Sequence, residues 1–73
     1  MIIDKEPDIN SDNRTIKVQN NIDTDEETLI LVNGLIAIIS DDIDDITDDT
    51  ITISEGTGTD LDNDVIAVMY TSL

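Results

Sequence analysis

Asn33-Gly34 stands between two apolar runs, Thr28–Val32 and Leu35–Ser40. An Asn-Gly pair in this setting is the strongest short signal for a β-hairpin, because a type I′ turn needs a positive φ at both central residues. The alternative is a buried helix that starts from a Thr24–Glu27 capping box. That helix would carry Asn33-Gly34 in its middle, where Asn and Gly are unfavourable. We therefore predict two strands joined by a tight turn.

The remaining Ile, Val and Thr residues also predict strands, because β-branched side chains fit a pleated sheet better than a helix. Alternation of apolar and polar residues indicates strands at Arg14–Gln19 and Thr50–Ser54. A further strand, apolar at nearly every position, is predicted at Val65–Thr71. Asp48-Asp49 is placed to turn a second hairpin, and residues 55–62 are predicted to form a loop.

The length of 73 residues allows a single small domain. We predict an all-β fold: a small antiparallel β-sandwich or barrel-like domain over residues 14–73, preceded by an extended N-terminal arm over residues 1–13. A core of this size is marginal. Because the chain has no Cys, disulfides cannot stabilise this core. Partner subunits or an oxygen-ligated cation are the remaining ways to stabilise it.

The chain carries 18 acidic and three basic residues, a net charge of −15. All the bases and four of the acids lie in residues 1–17, which leaves 14 acids and no base in residues 18–73. Such a surface repels nucleic acid and anionic membranes, and it attracts cations or a basic protein surface. We expect neither nucleic acid nor a membrane as a partner. High acidity is also typical of disordered chains, but the strand patterning argues against that class.

Three of the predicted strands are continuously apolar, which is typical of strands that are covered on both faces. A sandwich of this size covers one face of each sheet, so the other apolar face would meet another subunit or a larger partner. The residues predicted for this interface are Ile30, Val32, Leu35, Ile36, Ile38, Val65, Val68 and Met69. We expect a homo-oligomer, with a trimer favoured.

Asp60, Asp62 and Asp64 have the alternating spacing that opens a calcium loop. Val65 and Thr71 occupy the positions where an EF-hand has Gly and Glu, so an EF-hand is excluded. A looser calcium site and a solvated loop both remain open, and no other cofactor is expected. Without His or Cys, and without room for the cleft that paired carboxylates need, the chain is predicted not to be an enzyme and to have no catalytic residue.

Other charged and aromatic residues allow two interpretations each. Lys5, Arg14 and Lys17 either anchor the arm on an acidic neighbour or are ordinary solvated side chains. The acids of residues 41–49 form either a solvated rim or a docking patch for a basic surface. Tyr70, the only aromatic residue, is either part of the core or a residue on which a ligand stacks.

Three segments follow one another in a distinctive order: Leu29–Leu35, which contains Val-Asn-Gly; Thr50–Glu55; and Asn63–Tyr70. The order resembles a small β-sandwich module of tailed-phage virion proteins, in which the segments read "VNG", "tIt" and "GDxVxVxY". The resemblance covers residues 28–71 and implies a structural role in the virion, with no catalytic residues. This chain departs from the module in three ways. Asn63 replaces the usual Gly, Tyr70 is the only aromatic, and the segment around residues 41–45 is an acidic expansion.

Two functions follow from these features. The first is a capsid decoration protein, or a head-fibre or tail component, that docks on the capsid exterior as an oligomer and stabilises it. Its partner would be the major capsid protein or another virion protein, and it would be made in the host cytoplasm and carried on the virion. The alternative is an acidic DNA mimic that inhibits a basic nucleic-acid-binding protein. A mimic needs carboxylates spaced like phosphates over a long face, whereas an assembly protein needs apolar strands.

Overall fold

Two four-stranded antiparallel sheets make up the fold in the computed structural model, which describes residues 1–73. The strands are β1 (Ile2–Asp4), β2 (Asp8–Asn10), β3 (Thr15–Lys17), β4 (Leu29–Val32), β5 (Leu35–Ile39), β6 (Ile43–Thr47), β7 (Thr50–Ile53) and β8 (Ile66–Tyr70). Single 3-10 turns occupy Ser40–Asp42 and Glu55–Thr57. No helix is long and apolar enough to cross a membrane. The prediction of an all-β antiparallel sandwich is confirmed.

The first sheet has the strand order β1-β8-β4-β5, and the second sheet has the order β2-β3-β7-β6. The short turn at Ser40–Asp42 carries the chain from β5 to β6, so these two edge strands lie on the same side of the sandwich. The opposite side is formed by β1 and β2. Every pairing in both sheets is antiparallel.

Both predicted hairpins are present. Asn33 and Gly34 have φ values of 54° and 87° between β4 and β5, the two positive angles that a type I′ turn requires. Asp48 has a φ of 55° at the turn between β6 and β7. Asp is among the few residues other than Gly that tolerate this left-handed conformation. The helix considered for residues 29–39 is therefore wrong.

The core lies between the two sheets and is built from aliphatic side chains and one aromatic ring. Its buried members are Ile16, Val18, Ile22, Ile30, Ile38, Ile51, Ile53, Leu61, Ile66, Val68 and Tyr70. Alternate residues of β7 and β8 point into it, as the two-residue period of a strand requires. Tyr70 is fully buried, which agrees with its interpretation as a core residue.

Residues 1–13 form two short strands, β1 and β2, which belong to the sandwich. Ile2 lies opposite Tyr70 in the β1–β8 pair, and Asp8 lies opposite Lys17 in the β2–β3 pair. The chain therefore contributes one edge strand to each sheet before residue 14. Residues 1–13 pack in the same unit as residues 14–73, so no separate arm precedes the sandwich. Strands of three residues carry too little pattern to be recognised without their partners.

Three of the residues predicted for an interface lie in the core instead. Ile30, Ile38 and Val68 are buried between the sheets. The prediction placed them at a surface because a continuous apolar run does not reveal which alternate residues point inward. Register decides that question, and register depends on strand pairings that the run itself does not specify.

Candidate interaction surface

The outward side of the first sheet carries only apolar side chains. Residues that lie opposite one another in neighbouring strands share a face, and the pairings define two rows across the sheet. The first row is Ile3, Met69, Leu29 and Ile39, and the second is Ala67, Leu31 and Ile36. We call these seven residues the apolar face. None of them can be charged or donate a side-chain hydrogen bond.

The apolar face is substantially open to solvent. Ile36, Ile3 and Ile39 have 58%, 53% and 40% of their surface exposed. Single exposed apolar residues are ordinary, whereas a contiguous set that spans all four strands of a sheet is typical of contact surfaces. Three of its four strands, β4, β5 and β8, are the ones that the sequence predicted to be continuously apolar.

The outward side of the second sheet has the opposite character. Its residues are Asp8, Asn10, Thr15, Lys17, Asp45, Thr47, Thr50 and Thr52. We call them the polar face. The two outward sides of one small sandwich therefore differ completely, since one has a polar or charged side chain at each of these positions and the other has none.

Of the predicted interface residues, Ile36 and Met69 lie on the apolar face. Leu35 and Val65, which are 74% and 68% exposed, extend the apolar surface at the tip of the β4–β5 hairpin. Val32 is half-buried and packs against the core. The members that the sequence prediction missed are Ile3, Leu29, Leu31, Ile39 and Ala67. Most of these occupy the alternate positions of strands that were correctly predicted, so strand register was the missing signal.

The predicted calcium loop is held by hydrogen bonds between its own groups and by one from the Asn33 side chain. Asp60 accepts bonds from the Asn63 side chain at 2.9 Å and from the Asp62 N–H at 3.1 Å. The Asp64 carboxylate accepts bonds from the Asp60 N–H at 3.0 Å and from the Asn33 side chain at 3.2 Å. No three acidic side chains of the chain come together in a geometry that could hold a metal ion. The carboxylates of Asp60 and Asp64 therefore serve as acceptors that shape the loop.

Hydrogen bonding also affects the acidity of this loop. The bond from the Asn63 side chain, followed by that from the Asp62 N–H, lowers the pKa of Asp60 below its ordinary value of 3.8. Donors that point at a carboxylate favour its ionised form. Asp60 therefore stays charged to a lower pH than an isolated aspartate.

The three bases have different surroundings in the sandwich. Arg14 donates from Nη2 to the Thr57 hydroxyl at 3.2 Å and to the Thr59 carbonyl at 3.4 Å, so it ties β3 to the loop before β8. Lys17 lies 3.9 Å from the Asp49 carboxylate on the surface. Lys5 is exposed. The anchoring role stays a prediction, and Lys5 and Lys17 are the two bases that are exposed to solvent.

The acids of residues 41–49 follow one edge of the second sheet. Asp44 and Asp45 lie on β6 and are exposed, and a bulge interrupts the pairing of β6 with β7 at this point. Charge and bulges both discourage a foreign strand from pairing with an open edge. The cluster therefore protects the β6 edge against strand addition, whatever else it contacts.

One carboxylate lies inside the sandwich. Asp4 is buried at the end of β1, where its Oδ1 accepts the Glu6 N–H at 3.0 Å and its Oδ2 has no partner. It occupies an inward position opposite Val68. A buried oxygen without a hydrogen bond costs folding free energy, so β1 is held in place against this cost by its pairing with β8.

No family model, curated protein or solved structure matches the chain. The resemblance to a phage virion module therefore rests on the residues quoted for it.

Proposed function

We propose that this chain is a structural protein of a phage particle, which docks as a homo-oligomer on the capsid exterior and stabilises it. The observation that carries the proposal is the apolar face. A protein of net charge −15 can keep its whole surface hydrated, yet this one leaves a complete sheet side without a polar group. Such a side gains stability only when another protein surface covers it.

The distribution of acids favours assembly over mimicry of DNA. Only Asp8 and Asp45 are acidic among the outward residues of the second sheet, and the neighbouring positions are occupied mainly by Thr. Apart from the buried Asp4 on β1, the remaining acids are spread over loops and the β6 edge. A DNA mimic requires a long, dense array of carboxylates that reproduces phosphate spacing, and neither sheet supplies one.

The mechanism is the addition of contact area between subunits. A bound sandwich buries apolar surface on itself and on its neighbours, and burial stabilises a complex by about 25 cal/mol per Å² of apolar surface before the costs of association are subtracted. The acids that stay exposed repel the acids of other particles, which limits clumping. No catalytic step enters this mechanism.

The test uses particles of the virus that encodes the chain, purified with and without it. We expect the protein in the complete particles, and we expect particles without it to release their DNA at a lower temperature. Adding purified protein back should restore heat resistance. Ile36→Asp, which places a charge on the apolar face, should fail to restore it. Thr47→Asp adds the same charge to the edge strand of the other sheet and should succeed.

Two outcomes would overturn the proposal. The first is absence of the protein from purified particles together with unchanged heat resistance. The second is co-purification of the protein with a nucleic-acid-binding enzyme whose activity it inhibits, and this result would establish mimicry instead.

A further inference from the structure

We infer that the apolar face is covered by a second copy of this chain, packed sheet to sheet around a two-fold axis. This second copy is the protein that covers the apolar face, and the biological role of the dimer rests on the proposed function. It also replaces the trimer favoured from the sequence with a dimer, because a surface that packs on an identical surface closes at two copies.

Charge selects this arrangement among the ways that two copies can meet. Each copy carries −15, so any contact that brings the acidic regions together is opposed by repulsion. Pairing through the β5–β6 side would place the acids of residues 41–49 against their own copies. Pairing through the polar face would bring Asp8 and Asp45 of one copy close to the same two residues of the other copy.

The apolar face avoids this repulsion. Its outward residues carry no charge, and the shortest dimension of the molecule is 20 Å. Face-to-face packing therefore puts the polar faces of the two copies on the far sides of the dimer. Their separation is several times the Debye length of about 8 Å at physiological salt, so their mutual repulsion is largely screened.

The area of the face suits a reversible dimer. The molecule extends 29 × 21 × 20 Å, so one side presents at most about 600 Å², and two copies together bury at most about 1,200 Å², which is the lower end for stable interfaces. We therefore expect association that depends on protein concentration. The hairpin tips with Leu35 and Val65 lie at the ends of the face and stay available for a contact with the capsid.

The first experiment measures mass in solution by sedimentation over a range of protein concentrations, for the wild type, Ile36→Asp and Thr47→Asp. We expect the wild type and Thr47→Asp to pass from monomer to dimer as concentration rises. Ile36→Asp should stay monomeric at concentrations at least tenfold higher, with an unchanged circular dichroism spectrum. Lower salt should shift the wild type towards monomer, because the repulsion between copies is then less screened.

The second experiment needs no substitution. Isotope-filtered NMR on a mixture of labelled and unlabelled copies detects contacts between methyl groups of different chains. We expect such contacts at Leu31 and Met69, in the middle of the face, and none at Thr52 on the polar face.

The inference is overturned if the wild type is monomeric at every concentration, if Ile36→Asp dimerises as well as Thr47→Asp, or if the contacts between chains lie outside the apolar face. These results are separable from those on the proposed function. A monomer that still stabilises particles refutes the dimer alone, whereas a dimer that never binds particles refutes the virion role alone.

Discussion

Asn33 and Val65 exchange two hydrogen bonds across 32 positions of sequence. The Asn33 N–H donates to the Val65 carbonyl at 2.8 Å, and the Val65 N–H donates to the Asn33 side-chain oxygen at 2.9 Å. The same Asn has a φ of 54° in the turn between β4 and β5. One side chain therefore shapes the hairpin and fastens its tip to the start of β8, which aligns the central strands of the first sheet.

Substitutions at Asn33 should separate these two roles. Asn33→Gly keeps the positive φ but loses both side-chain hydrogen bonds, the one from the Val65 N–H and the one to the Asp64 carboxylate. We expect a loss of about 1 kcal/mol of unfolding free energy. Asn33→Ala also forces a residue with a Cβ into the left-handed region, which adds about 1 kcal/mol or more. Urea denaturation checks both values. Equal losses of unfolding free energy for the two variants would show that the left-handed conformation at residue 33 does not affect stability.

The pKa of Asp60 provides a test of the loop before β8. Its pKa is lowered from 3.8 by the hydrogen bond from the Asn63 side chain. Asn63→Ala should therefore raise the pKa of Asp60 towards 3.8, measured by NMR titration of the carboxyl carbon. An unchanged Asp60 pKa in the variant would contradict the assigned cause.

The same lowered pKa has a direct consequence for acid stability. A carboxyl whose pKa is lower in the folded state contributes stability above its unfolded-state pKa and loses that contribution as pH falls through the folded-state value. Stability from Asp60 is therefore complete above about pH 4 and declines below it. We expect the decline to be smaller in Asn63→Ala, measured from urea midpoints across the acid range.

The buried Asp4 should be replaceable with a gain in stability. Asp4→Asn keeps an oxygen that can accept the Glu6 N–H and removes a negative charge whose second oxygen has no partner. We expect the free energy of unfolding at neutral pH to rise by about 1 kcal/mol. Asp8→Asn removes the same charge from an exposed site and serves as the control. A loss of stability in Asp4→Asn would show that the carboxylate has a partner essential to the fold.

Salt should stabilise the folded chain. The net charge of −15 is more concentrated in the compact state than in the unfolded state, and screening relieves its self-repulsion. We expect the urea midpoint of the monomeric Ile36→Asp variant to rise with sodium chloride. Adding Asp44→Asn and Asp45→Asn should reduce the slope of that rise. A midpoint that is flat or falls with salt would show that charge repulsion does not limit stability.

Several elements of the fold were predictable because their causes are local. The Asn33-Gly34 turn needs two positive φ angles, and the alternation in Thr50–Ile53 places every second side chain in the core. The strands β1 and β2 were not predicted, because three residues give too short a pattern. Their positions depend on pairing with β8 and β3, which are contacts distant in sequence.

The candidate surface was predictable only in part. An excess of apolar residues in β4, β5 and β8 correctly indicated a sheet with an exposed apolar side. The assignment of individual residues failed at Ile30 and Ile38, which are buried. Which alternate residues of β4 and β5 point inward depends on how the two strands pair, including the bulge between them, and the sequence of either strand alone does not show this. For the Asp60–Asp64 loop, the spacing of carboxylates did not reveal that amide donors would engage Asp60 and Asp64.

The place of β8 between β1 and β4 has a consequence for synthesis on the ribosome. The strands of the second sheet all precede residue 54, so that sheet can form while the chain is still emerging. The first sheet lacks an inner strand until Ile66–Tyr70 has been translated, and until then β4 and β5 form a lone apolar hairpin with an open edge. A nascent chain that stalls in the loop before β8 would therefore expose the apolar β4–β5 hairpin, which is its most aggregation-prone segment. Such chains are expected substrates for chaperones and proteases.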